Sequence, residues 1–137
     1  MKAEQGIGIG GLHAFVLNFS SMTWHELIDE RAYEMHQVIA DVLRLDPAKL
    51  DVALTWIERF LSDPEYSASS KDALNEWRDL IRSRGLEGVL QLLAERSENA
   101  TRMRHMSPFA GLMPQDKRTE ILQRYEARRP RAHPAGV

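Results

Sequence analysis

Three residues near the start of the regular part of the chain have the chemistry of a metal site: His25, Asp29 and His36. Two imidazoles and a carboxylate can hold zinc. Eleven residues is close to three helical turns, so all three fall on one side of a helix. At about 1.5 Å of rise per residue, however, the two histidines lie about 16 Å apart, too far for one ion. They read instead as histidines flanking a core stripe. A second pattern shares His36, because Arg31 precedes it by five positions.

The richest stretch lies later. In RMRHMSPFAGLMP, residues 102–114, two arginines and a histidine run into Met, Pro, Phe, Gly and Leu. It is superficially similar to the HPFxxGNGR signature of Fic proteins. Two residues separate His105 from Pro108, and Leu112-Met113-Pro114 stands where the anion-binding Gly-Asn-Gly-Arg end belongs. Without those amides and that Arg there is no phosphate cradle, and the Fic reading is rejected. Walker, GxSxG and HExxH motifs do not occur either. Phe109, Leu112 and Met113 have no helical period. They either plug the open end of a helical bundle or form an apolar knob rimmed by Arg. With Pro108 they are the expected partner-binding set, and Met suits an adaptable contact.

The elements that position these residues follow from periodicity and caps. Residues 1–21, with GIGIGG and LHAFVLNF, do not resemble the rest and are expected to be a flexible or loosely packed extension. The domain is expected over residues 22–129, with a loose tail over 130–137. Thr23 and Glu26 fit a capping box. Trp24, Ile28, Ala32, Met35, Ile39 and Val42 then mark one apolar stripe on a helix of about 20 residues, with Leu27, Val38 and Leu45 beside it. Asp46-Pro47 restarts the helix. Leu50, Leu54, Ile57 and Leu61 face inward on the second helix, widened by Ala53 and Phe60. Ser69 or Ser70 can cap a third helix carrying Leu74, Trp77, Leu80 and Ile81, and Gly85 stops it. Residues 86–95 give a fourth, Ser97 opens a short fifth, and Pro114 opens the last. The fold class is all-α: a compact bundle of about five to six helices with an irregular N-terminal extension.

Composition narrows the function. The chain has 137 residues and no Cys, which excludes disulfides and thiolate chemistry. No apolar run approaches a membrane span, so a cytoplasmic location is expected. Residues 1–95 carry 9 Lys/Arg and 16 Asp/Glu, a net of −7, whereas residues 96–137 carry 9 and 4, a net of +5. An acidic body and a basic end can serve two partners, or the opposite ends of a homodimer. Arg102, Arg104, Lys117, Arg118 and Arg124 are the expected phosphate contacts if DNA is bound, together with Arg128, Arg129 and Arg131. The SPFAGLM connection is longer and more apolar than a helix-turn-helix turn.

Two resemblances bear on this. Arg31 to His36 is similar to the Arg-x4-His motif of the HEPN ribonucleases, which are all-α and often belong to toxin–antitoxin pairs. The match is cheap, since Arg128 to His133 has it too and, with three spacings permitted, about 1.5 matches are expected by chance in this composition. Ala32 also stands where a polar residue usually follows the Arg. More of the chain, from TWHELIDERAYEMH through the Trp77 helix to SENATRMRHMSPFAGLMPQDKRTEILQRYE, resembles a loose group of small bacterial proteins encoded beside toxins. They share a Trp-x-Glu-Leu helix, a central Trp helix and an Arg-x-x-SPFAG loop followed by a proline-opened helix. That resemblance covers about residues 23–126, implies a binding role of antitoxin type and supplies no catalytic residues; none, and no cofactor, are expected from the sequence. The expected function is therefore a non-enzymatic partner-binding protein. A HEPN-like dimeric ribonuclease and a DNA-binding regulator are the alternatives.

Overall fold

Thr23 starts the first helix as the sequence predicts. Its Oγ1 accepts from Glu26 N at 3.1 Å, while Glu26 Oε1 accepts from Thr23 N at 2.8 Å. In the computed structural model, which describes residues 22–130, this helix is α1, Trp24–Leu45. A 3-10 turn, Pro47–Lys49, leads into α2, Leu50–Leu61. Then come α3, Ala68–Ala94, α4, Glu98–His105, and α5, Gln115–Glu126, with a second 3-10 turn at Ala110–Leu112. The described residues are all-α and contain no strand. The extension expected at 1–21 and the tail beyond Pro130 lie outside them.

The caps are local and largely follow the sequence. Ser97 Oγ accepts from Ala100 N at 3.0 Å to open α4. For α3 the cap is Ser67, which accepts from Ser70 N at 3.2 Å, rather than Ser69 or Ser70. Those two serines fall inside the first turn instead. Gly85 does interrupt α3, as expected: its φ of 59° and ψ of −150° belong to glycine. The helical dihedrals break there and resume at once. Gly88 is needed just beyond, because an added Cβ would collide with the Arg84 side chain across that break.

The core gathers around Trp77, which has no exposed surface, with Leu43, Ile57, Val89, Leu93 and Phe109 in the same cluster. A second, smaller cluster joins Leu27 of α1 to Ile121 and Tyr125 of α5. The buried residues of α1 are Leu27, His36, Ile39, Ala40 and Leu43. This face lies to one side of the expected Trp24–Met35–Val42 stripe. The physical reason is that α1 touches α3, α4 and α5, so it buries more than one face and no single stripe describes it. Leu45, expected to flank the stripe, is 89% exposed.

Candidate functional site

The 107–113 loop divides into buried and exposed halves. Phe109 N donates to Ser107 Oγ at 3.1 Å, which turns the chain inward after α4. Phe109 is then fully buried, edge-on to Trp77 with ring centroids 5.1 Å apart. Trp77 Nε1 donates to Met103 O at 2.8 Å, which fixes the indole. Leu112 and Pro108 are buried as well, and Met113 is half-buried between the two apolar clusters. Of the two readings left open by the sequence, Phe109 and Leu112 plug the bundle end, and the partner-binding role expected for these two as an exposed knob is corrected. An aromatic ring with no helical neighbours of its own gains most by filling the end of the bundle.

The expected phosphate contacts are mostly committed elsewhere. Arg104 is 5% exposed. Its Nη1 donates to the carbonyls of Leu92 at 3.2 Å and Glu95 at 2.6 Å, and lies 3.5 Å from that of Leu93. Gln37 Nε2 donates to Leu93 O at 2.8 Å, and Tyr33 Oη donates to Ala94 O at 3.0 Å. The last carbonyls of α3, which lack helical partners, are thus satisfied by side chains from α1 and α4. The Tyr33 ring also carries the Arg96 and Arg104 guanidinium groups at 3.8 and 4.9 Å. Burial pulls the Arg104 guanidinium below its ordinary pKa. The role expected for Arg104 at a phosphate is therefore corrected: it caps a helix C-terminus.

Arg102 makes a two-pronged contact with Glu76 at 3.1 and 2.9 Å, which holds the Glu76 carboxyl below its usual range. Arg124 also makes two hydrogen bonds to Glu34, at 2.9 and 2.5 Å, and Tyr125 Oη donates to the same carboxylate at 3.0 Å. Arg96 pairs with Glu30, and His105 Nε2 lies 2.6 Å from Asp29 Oδ1. Much of the basic end is thus spent on the acidic body. Of Arg102, Arg104, Lys117, Arg118 and Arg124, only Lys117 and Arg118 are exposed and without an ion pair among the described residues, and Arg129 pairs with Glu126.

The two histidine patterns do not assemble. His25 is exposed, Asp29 faces His105, and His36 is buried. Among the described residues no three His, Asp or Glu side chains cluster as a metal set. His36 Nδ1 lies 2.6 Å from Ala32 O, which can only accept, so Nδ1 carries the proton. Nε2 is then a buried lone pair with no partner among the described residues. Burial outweighs the Ala32 hydrogen bond and, with the charges of Arg104 and His105 adding to it, lowers the His36 pKa from 6.5 to about 4. Arg31 lies 6.0 Å from the Trp24 ring centroid. The HEPN-like pairing is therefore not presented to solvent, because the imidazole is turned into the core.

The outer side of the loop forms one wall of a groove of about 430 Å³, with Ala110 and Gly111 exposed on it. Pro108, Ala110, Gly111 and Met113 line it from the loop, Trp56 and Phe60 from α2, and Gln115 and Arg118 from α5. Trp56 stacks on Phe60 at 5.4 Å, and Phe60 on Tyr66 at 4.9 Å. The Arg59 guanidinium lies 4.9 Å from the Trp56 ring centroid. Among the described residues, no carboxylate lines the groove. Two of the expected partner-binding residues, Pro108 and Met113, belong to it. Sequence reasoning missed Trp56, although its spacing of four from Phe60, off the inner stripe of α2, carried the signal.

Comparison with protein-family models, with curated proteins and with solved structures finds no match. Among the described residues, no helix is long and apolar enough to cross a membrane.

Proposed function

We propose that this chain is a non-enzymatic, cytoplasmic helical protein that binds and restrains a protein partner, as an antitoxin-type component does. The docking surface is the groove between α2 and the 107–113 loop. The observation that carries this reading is the aromatic wall of Trp56 and Phe60, left half-exposed beside Pro108 and Met113 while Phe109 serves the core. Apolar pockets with a few placed polar groups are where binding energy concentrates. The antitoxin element rests on the resemblance of residues 23–126 to toxin-neighbour proteins.

The test uses the full chain, tagged and expressed in its native host, as wild type and as Ala110→Trp. Ala110 is exposed and lines the groove, so the larger ring fills the groove without entering the core. A protein that co-purifies with the wild type, rebinds as a purified component, and binds the variant at least tenfold more weakly supports the reading. A partner indifferent to Ala110→Trp, or none from the native host, refutes it. DNA contact through Lys117 and Arg118 is a second reading, favoured by their lack of ion pairs among the described residues. Two phosphate contacts give a salt slope of only about −2, far shallower than a multi-contact DNA reader.

A further inference from the structure

The partner-binding reading leaves the chemistry of the occupant open, and the charges around the groove specify it. We infer that the groove takes a short acidic segment of another protein, in which one or two bulky apolar side chains are flanked by Asp or Glu. This rests on the docking role proposed above.

Three observations converge. The groove walls are aromatic and aliphatic, and a volume of about 430 Å³ lies in the lower part of the range for well-formed binding pockets. It therefore suits the side chains of a short segment rather than a broad flat interface. Second, the cations at its edges are uncommitted. Arg118 lines the groove and has no ion pair among the described residues. Arg59, stacked on Trp56, has none among them either. By contrast Arg96, Arg102 and Arg124 are each held by a glutamate. Third, the Trp56 indole N–H has no acceptor among the described residues, although Trp56 lines the groove. A backbone carbonyl of an incoming segment supplies one. With Arg118 in the lining and no carboxylate there among the described residues, a basic segment meets repulsion and an acidic one attraction.

The test is selection of random 12-residue peptides displayed on phage against the full-length protein, followed by fluorescence anisotropy with the synthetic winners. The expected consensus is an apolar pair flanked by Asp or Glu. Its affinity should fall at least tenfold with Arg118→Glu, fall similarly with Trp56→Ala, and weaken as salt rises from 50 to 500 mM. A peptide whose Asp and Glu are replaced by Lys should bind Arg118→Glu better than wild type. Circular dichroism verifies that both variants remain folded. Should Trp56→Ala unfold, Ala110→Trp, which fills the groove from its exposed side, takes its place. Winners with basic or uncharged flanks that still need the groove overturn this inference and leave the docking role standing. Winners that ignore every substitution, or no winners at all, overturn both. A 12-residue oligo-dT that displaces the peptide from the groove replaces the acidic segment with nucleic acid and also overturns the inference.

Discussion

Acidification should destabilise this protein through one residue, His36. The imidazole is 7% exposed, keeps its proton on Nδ1 for Ala32 O, and leaves Nε2 without a partner among the described residues. Its surroundings resist a second proton: burial removes solvent, and Arg104 and His105 add positive charge. The folded pKa of about 4 lies below the ordinary 6.5, so between those values the unfolded chain binds a proton that the folded chain refuses. Stability present above pH 6.5 is therefore lost as pH falls, at a slope approaching 1.4 kcal/mol per pH unit, and the loss levels off below about pH 4. The whole loss is about 3 kcal/mol, a large share of the roughly 5–15 kcal/mol typical of a domain. Urea denaturation followed by circular dichroism at pH 7.5, 6.5, 5.5 and 4.5 measures it. His36→Leu supplies the control, since it removes the titrating group and the orphan lone pair together. The variant should be at least as stable as wild type at pH 5 and should lack the slope between 6.5 and 4.5. A flat wild-type profile in that window, or an unchanged slope in His36→Leu, refutes the reasoning. Glu76, whose pKa is lowered by Arg102 from the ordinary 4.5, begins to lose its contribution only as pH falls to that value and goes on losing it below, at the acid end of this window.

Further outcomes follow from the same packing. Phe109→Ala should cost about 3–5 kcal/mol in urea titration, because the ring that fills the bundle end against Trp77 is deleted. A fully stable Phe109→Ala would return the residue to the surface role expected from sequence. Arg104→Ala should cost about 3 kcal/mol by freeing the carbonyls at the end of α3, and Arg104→Lys should not restore it, since one ammonium cannot reproduce the planar fork over Tyr33. Gly85→Ala should cost about 1–3 kcal/mol from backbone strain alone, because nothing lies within 4 Å of the added Cβ. A loss below about 0.5 kcal/mol, the range of an ordinary surface substitution, would show that the break in α3 relaxes.

The parts of this fold that sequence discloses are those decided within a few residues. The Thr23–Glu26 box, the Ser97 cap and the Gly85 break each depend on side chains and dihedrals in one turn. Ser67 is hidden because Ser67, Ser69 and Ser70 offer nearly equal caps, and the choice among them falls to packing that no local pattern encodes. The α1 stripe is displaced because two neighbouring cores share that helix. Arg104 is harder still. Nothing in RMRH reveals that the second arginine reaches back to carbonyls 9 to 12 positions earlier while the first meets Glu76 in the open.

Charge misleads in the same way where function is concerned. An acidic body and a basic end suggest two external partners, yet Glu30–Arg96, Glu76–Arg102 and Glu34–Arg124 join one to the other inside the molecule. Such half-exposed pairs contribute little stability individually. Their consequence is that the charge left to meet a partner is smaller and more localised than the sequence totals imply. Around the Trp56 groove it lies at Arg59 and Arg118. A partner that reads this surface must therefore bring its own carboxylates to that groove. Reversing Arg118 should weaken binding far more than reversing Arg102, whose guanidinium is already held by Glu76.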